Sequence, residues 1–226
     1  MLITNLGSLK TELAVQMFHQ RFQPQYERAI QAFEAVANRR LRTRKQEHVV
    51  YLTTSSSQPD PAFIQGFCDV PDDYLLWRSV QWRGRTPFVE LDYVHPAYLR
   101  STWIETDHGD PKIFTIEDGT FFAAPVNNTA AAYEFHYYRK IDSLLGRQEG
   151  DNAANWLIDD HPELYFSGVL FELFVLERNG EAAVAHKQLR DEKFAELIQL
   201  SALTTGATSS QVRGEGAALG SGGEYF

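Results

Sequence analysis

Asp159-Asp160-His161 is the stretch whose residue types come nearest to acid–base chemistry, because a carboxylate beside an imidazole can fix its tautomer and stabilise its charge. Neighbours in sequence point their side chains in different directions, however, and proton transfer needs groups that converge in space. A helix opening at Pro162, with Asp160 or His161 near its N-cap, accounts for the same residues without catalysis. His95-Pro96 and His108-Gly109-Asp110 sit in turn-like sequence, and the 7 histidines contain no i, i+4 pair of the kind that holds zinc on a helix. Cys68 is the single cysteine, so neither an intrachain disulfide nor a cysteine-based zinc site can form. Gly214-Glu215-Gly216-Ala217-Ala218-Leu219-Gly220 approximates a dinucleotide-binding loop, but its third glycine comes one residue late and no strand precedes it. There is no nucleophile elbow and no phosphate-binding loop ending in Gly-Lys-Ser or Gly-Lys-Thr. The residues predict no enzyme, no catalytic group, no metal and no cofactor.

The most concentrated charge lies in Arg39, Arg40, Arg42, Arg44 and Lys45, at the C-terminal end of a helical pattern, where cations complement unpaired carbonyls. Two readings stay open for it: a solvated helix end, or a contact with phosphate or a partner protein. The net charge of −9 argues against a surface that binds nucleic acid throughout, and it confines any such contact to a local patch. The first residues lack the basic-then-apolar order of a signal peptide, and the greasy run from Gly168 to Leu176 is too short to span a bilayer. The expectation is a soluble intracellular product with no membrane contact, in which the sequon Asn127-Asn128-Thr129 carries no meaning.

The elements that must position these residues divide into three sorts. Residues 8–21 place Leu9, Leu13 and Met17 on one face, and 24–42 set Tyr26, Ala29, Ile30, Phe33, Val36, Ala37 and Leu41 at helical spacing, either as one kinked helix or as a tight pair. From about 46 to 140 the chain turns β-rich. Strands are predicted at Gln46–Thr54, Gly66–Val70, Leu75–Trp82, Pro87–Tyr93, Ile113–Glu117, Thr120–Ala124 and Tyr133–Arg139, with a hairpin turn at Glu117-Asp118-Gly119 and a helical turn or two from Pro96 to Trp103. This reads as a small antiparallel β module. Residues 163–178 are apolar on nearly every side, so that helix should be covered all round. Asn179-Gly180 should end it, and Glu181–Leu203 should resume with Ala182, Ala185, Leu189, Leu200 and Leu203 aligned and Val184, Phe194 and Ile198 as a weaker ridge opposite. This hairpin carries more apolar surface than a small β module needs, which points to burial against another subunit. The fold class is α+β. Residues 1–204 form one domain, with helices at about 8–42 and 162–203 around the β-rich insertion at 46–140. Residues 205–226 form a flexible Gly/Ser-rich arm, able to anchor only through Val212, Arg213, Leu219, Tyr225 and Phe226.

Taken in order, particular stretches resemble the head-to-tail adaptor family of tailed bacteriophages, also called neck, connector or head-completion proteins. These are the helix running into a strand closed by Thr53-Thr54, Pro71-Asp72-Asp73-Tyr74-Leu75-Leu76-Trp77-Arg78-Ser79-Val80, Tyr93-Val94-His95-Pro96, Gly109-Asp110-Pro111, Phe135-His136-Tyr137-Tyr138-Arg139-Lys140-Ile141, and Asn155-Trp156-Leu157-Ile158-Asp159-Asp160-His161-Pro162-Glu163-Leu164-Tyr165. The similarity runs from about Tyr26 to Leu203. It departs from the family before Pro24, around Pro59 to Gln65, and in the glycine-rich tail.

The resemblance implies a virion structural protein that forms a ring, normally a dodecamer, in the neck between portal and tail. Assembly would occur in the host cytoplasm, with the portal and the tail or nozzle proteins as partners. The genome would leave through the ring without specific DNA binding, past an acidic or neutral wall for which Asp69, Asp72, Asp73, Asp107 and Asp118 are candidates. The arm would order against the portal. The alternative reading is a nucleic-acid-binding or regulatory module that uses residues 39–45.

Overall fold

The computed structural model describes residues 3–17, 23–54, 67–102, 109–126 and 131–205. In chain order its elements are α1 (Leu6–Gln16), α2 (Gln23–Arg40), β1 (Glu47–Thr54), β2 (Phe67–Asp69), β3 (Tyr74–Trp82), β4 (Val89–Glu90), β5 (Asp92–Tyr93), α3 (Pro96–Thr102), β6 (Ile113–Glu117), β7 (Thr120–Ala124), β8 (Ala131–Arg139), α4 (Trp156–Asp160), α5 (Pro162–Leu176) and α6 (Gly180–Thr205). The α+β expectation holds, with the strands gathered in the middle of the chain and only the short helix α3 among them.

The helical layer has its own apolar core, built from α1, α2, α4, α5 and α6. α1 starts at a capping box, in which Asn5 Oδ1 accepts from the Ser8 amide at 2.8 Å while Ser8 Oγ accepts from the Asn5 amide at 3.0 Å. In α2 the three- and four-residue spacing puts Tyr26, Ala29, Ile30, Phe33 and Ala37 on one buried stripe. That stripe lies along α5, where Gly168 lets Phe33 come so close that a Cβ there would sit 2.1 Å from the Phe33 ring. Tyr165 meets the same ring edge-on, with centroids 4.8 Å apart, and Phe194 of α6 closes the other side at 6.1 Å. Fully burying one such aromatic contributes about 1.5–3 kcal/mol.

The β-rich segment forms two four-stranded sheets, in the orders β1-β8-β3-β4 and β2-β7-β6-β5. Their inner faces share a second core, in which Val80, Trp82, Tyr133, Phe135 and Tyr137 meet Phe114, Phe121 and Ala123. Burial pushes the phenols of Tyr133 and Tyr137 well above the ordinary tyrosine range, and Tyr137 donates its hydroxyl to Asp73 at 2.8 Å.

Both crossings between helices and sheets are held by side-chain hydrogen bonds. Gln46 accepts from the Thr43 amide at 3.1 Å and donates to the Arg139 carbonyl at 3.3 Å. On the return crossing, Asn38 Oδ1 accepts from the Ile141 amide at 2.8 Å, and Glu34 accepts from the Leu144 amide at 2.9 Å and from Ser143 Oγ at 2.7 Å.

Several expectations need correction. The β module is not wholly antiparallel, since β5 pairs with β6 in parallel. The run Pro87–Tyr93 is two strands in different sheets, because Leu91 turns inward between them: its amide bonds Val80, whereas the next amide, of Asp92, bonds Lys112. Helix 8–21 ends earlier, at Gln16 with Met17 as its C-cap, so α1 and α2 are two helices, and 18–22 lie outside the described residues. α5 opens at Pro162 with His161 as its N-cap, as expected, although no side chain bonds the helix end there. An unforeseen short helix, α4, precedes it, capped by Asn155, whose Oδ1 accepts from the Leu157 and Ile158 amides. After α5 the left-handed residue is Arg178, with φ of 60°, while Asn179 caps α6 and Gly180 opens it. α5 is not covered all round, because Val175 and Leu176 are exposed. Neither ridge of α6 is buried as a unit. Phe194, with Ala183, Arg190 and Leu197, looks inward, while Leu189 and Leu200 look out.

Candidate functional site

The five cations at the end of α2 do not form one patch, because the run spans a helix end and the chain changes direction within it. Arg40 pairs with Asp191 of α6 and lies over the Phe194 ring, 4.4 Å from its centroid. Arg42 folds back and donates to the Asn38 carbonyl at 2.7 Å and to the Leu41 carbonyl, closing the C-terminus of α2. Lys45 reaches Asp160 of α4 at 3.2 Å. Arg39 is exposed and near enough to Glu172 to favour its charged form, although burial dominates and holds that carboxyl above its usual range. Arg44 is exposed and has no ion pair among the described residues.

The Asp159-Asp160-His161 stretch does not assemble an acid–base pair. Asp160 is taken by Lys45, Asp159 is exposed on α4, and His161 ends α4 by donating its amide to Leu157. Burial is the largest influence on the His161 imidazole and holds it below the ordinary histidine range. His95 Nδ1 accepts from the Ala97 amide at 3.2 Å, a cap for α3.

Three surfaces stand out as places for a partner. A groove of about 480 Å³ runs between Thr43–Lys45, Trp156 and His161 on one side and Leu197, Leu200 and Ser201 of α6 on the other. The helical hairpin exposes Val175, Leu176, Val184, Leu189, Ile198 and Leu200, with Val184 at 67% of its full exposure. At about 100° per residue, Val184 and Ile198 fall on one flank of α6 and Leu189 and Leu200 on the other, with the buried Phe194 stripe between them.

The third surface, which sequence reasoning missed, is the outer face of the β1-β8-β3-β4 sheet. Val49, Tyr51, Leu76 and Phe88 are exposed on it, and the Arg83 guanidinium lies over both the Tyr51 ring, at 4.8 Å, and the Phe88 ring, at 4.9 Å. Where the chain enters β1, a cleft of about 470 Å³ opens between Arg44, Glu47, His48, Val49, Arg78, His136 and Tyr137. Arg78 pairs with Glu47, and His136 Nε2 lies 3.0 Å from Glu134. A signal existed: β1 carries apolar residues on both faces, as Val49-Val50-Tyr51-Leu52, and a strand apolar on both faces is covered on both. The grouping of Arg78 and His136 with Arg44 was invisible, because it depends on strand register.

Of the candidate acids, Asp69, Asp72 and Asp118 are exposed and Asp73 is bonded to Tyr137. Asp107 lies outside the described residues, as do Val212, Arg213, Leu219, Tyr225 and Phe226 and the loop from Pro59 to Gln65. No helix among the described residues is long and apolar enough to cross a membrane.

A family model described as SU10 adaptor protein matches residues 4–214. The match spans nearly the whole chain, and the protein therefore belongs to this family of phage head-tail adaptors, a family of structural proteins whose place is the virion neck, in contact with other virion proteins such as portal and tail. No curated protein matches the chain.

Proposed function

We propose that this phage adaptor forms a closed ring, a dodecamer, between the portal and the tail, lining the channel through which the genome leaves and providing the platform for tail attachment. The observation that carries this reading, in a member of the adaptor family, is the pair of exposed apolar flanks on α6. A ring is built from head-to-tail contacts, and each subunit must offer two different faces to its two neighbours. Val184 and Ile198 on one flank and Leu189 and Leu200 on the other meet that requirement. The ring is assembled in the host cytoplasm and works without catalysis, cofactor or membrane contact.

The net charge of −9, repeated around a ring, fits an acidic or neutral channel wall, past which DNA phosphates would slide without specific binding. Residues 1–204 act as the ring-forming domain. The segment from 205 to 226 is an arm that orders against the portal, anchored by Val212, Leu219, Tyr225 and Phe226, with Arg213 as an ion-pair partner. The nucleic-acid reading is weaker, because Arg40, Arg42 and Lys45 are engaged within the chain, and of the five cations Arg39 and Arg44 alone have neither an ion pair nor a side-chain hydrogen bond among the described residues. Electron microscopy of the protein with its portal tests the proposal: a closed ring below the portal supports it, and monomers or two-fold dimers there contradict it.

A further inference from the structure

We propose that the cleft formed by Arg44, His48, Arg78 and His136 receives an acidic tip, Asp69 and Asp118 with Asp72, from the next copy in the ring. The proposal rests on the ring reading above and names the contact that closes it within the β module. The cleft brings two guanidinium groups and two imidazoles together; Glu47 pairs with Arg78 and Glu134 lies 3.0 Å from His136, so that Arg44, with no ion pair among the described residues, is the guanidinium left over. A concave site that holds an unpaired guanidinium beside neighbouring N–H donors takes a carboxylate, which Arg can bind in a bidentate fork. The apolar side chains around it, Val49 and Tyr51 above all, supply the area that an ion pair alone lacks.

The same chain carries the complement. Asp118 stands at the tip of the β6–β7 turn with φ of 48°, and Asp69 ends β2 directly opposite Thr120. Asp72 follows two residues after Val70, whose amide bonds the Gly119 carbonyl at 2.9 Å. All three acids are exposed, and none forms an ion pair among the described residues.

Position then makes the contact head-to-tail. The Glu47–Tyr138–Leu76 row of the first sheet marks the level of the cleft. The chain passes from that row through Tyr74 and Pro71 to the Val70–Gly119 bond, so the acidic tip lies at the same end of the module but on the other sheet. Complementary patches on opposite sides at one level are joined by a rotation that repeats from copy to copy and can close. Face-to-face pairing of two clefts would set cation against cation. On this assignment Asp69, Asp72 and Asp118 leave the channel wall for the subunit contact.

The test uses the full chain mixed with its portal, with rings counted by electron microscopy. Arg44→Glu and Asp118→Lys should each weaken every contact by about fivefold, a loss that multiplies around a closed ring. Together in one chain they should restore ring formation, and Arg44→Cys with Asp118→Cys, in a Cys68→Ser background, should give an oxidised ladder of covalent multimers. Rings from both single variants at wild-type yield overturn the proposal, as do single losses that the double reversal leaves uncorrected and no ladder crosslinks. Binding of short duplex DNA through Arg44 and Arg78, with rings unaffected, also overturns it, in favour of a phosphate site. Absence of rings from the wild-type protein overturns the ring reading itself.

Discussion

Tyr165 donates its buried hydroxyl to Glu34 Oε1 at 2.6 Å, joining α5 to α2 at the level where the chain returns from the sheets. The same carboxylate holds the Leu144 amide and Ser143, so a single buried acid ties together two helices and the return crossing. Burial first, and then the Glu34 charge, push the Tyr165 phenol well above its ordinary value, so it stays a donor at any physiological pH. Removing one partner leaves the others unsatisfied in the interior. Tyr165→Phe should lower unfolding stability by about 1–2 kcal/mol and Glu34→Ala by about 3 kcal/mol, read as shifts in urea midpoint. Midpoints unchanged in both variants would show that this junction contributes nothing to the fold.

Gly168 is expected to tolerate no side chain, because Phe33 occupies the place of its Cβ. Gly168→Ala should cost about 2 kcal/mol through overpacking, although alanine is the better helix former. Phe33→Leu introduced into the same chain should recover part of that loss by making room. If Gly168→Ala instead stabilises the protein, α2 and α5 are not packed as closely as described.

Two histidines predict a pH dependence. Burial lowers the pKa of both His161 and His186, and His186 Nδ1 is buried without a hydrogen-bond partner among the described residues. In the unfolded chain each titrates near the ordinary value of about 6.5, so below that pH the unfolded state binds more protons. Their stabilisation is therefore complete above about pH 6.5 and is lost as the pH falls through the lower folded values. Urea midpoints measured from pH 7.5 to 5.5 should decline, and the slope should flatten in the double variant His161→Gln, His186→Gln. An equal slope in both proteins would assign the decline to other groups.

Polar substitutions on the flanks of α6 should separate assembly from folding. Val184→Asp or Leu200→Gln changes an exposed position and should alter monomer stability by less than about 0.5 kcal/mol. Ring yield with the portal should nevertheless fall several-fold. Normal yields from both variants would place the subunit contact elsewhere.

The arm is tested by limited proteolysis. Residues from 206 onward should be cut quickly in the free protein and protected in the assembled neck, and a chain ending at Thr205 should fold normally but attach poorly to the portal. Equal cleavage rates in the two states, or normal attachment of the shortened chain, would remove the arm from the account.

Where the pattern was strong, sequence and structure agree for a physical reason. The Tyr26 to Ala37 stripe of α2 is buried as its spacing predicts, and β6, β7 and the Asp118-Gly119 turn fall at the expected residues, because helical period and turn chemistry are local properties. The helix α6 was legible but its inward face was not, because its two flanks and its buried stripe all carry apolar residues, so that the size of Phe194 and its aromatic neighbours, rather than the count of aligned leucines, decides which face turns inward. The short helix α4 was hidden because Asn155 caps it within a stretch that reads as polar linker. Of the candidate site, the basic run was legible as composition, but its dispersal was not: Asp191 and Phe194, the partners of Arg40, come from a helix about 150 residues away. The cleft around Arg44 depends on the register that sets β1 against β8 and β8 against β3, which no local pattern specifies.

The central claim, that this chain is a ring-forming neck adaptor, is tested most directly by cryo-electron microscopy of the full-length protein bound to its portal. The account predicts a closed ring of head-to-tail copies docked below the portal, with α6 and the outer sheet face at the subunit contacts and a channel wall free of the residues 39–45. Monomers or two-fold dimers on the portal, or a ring whose narrowest point is lined by Arg39 to Lys45, would contradict it.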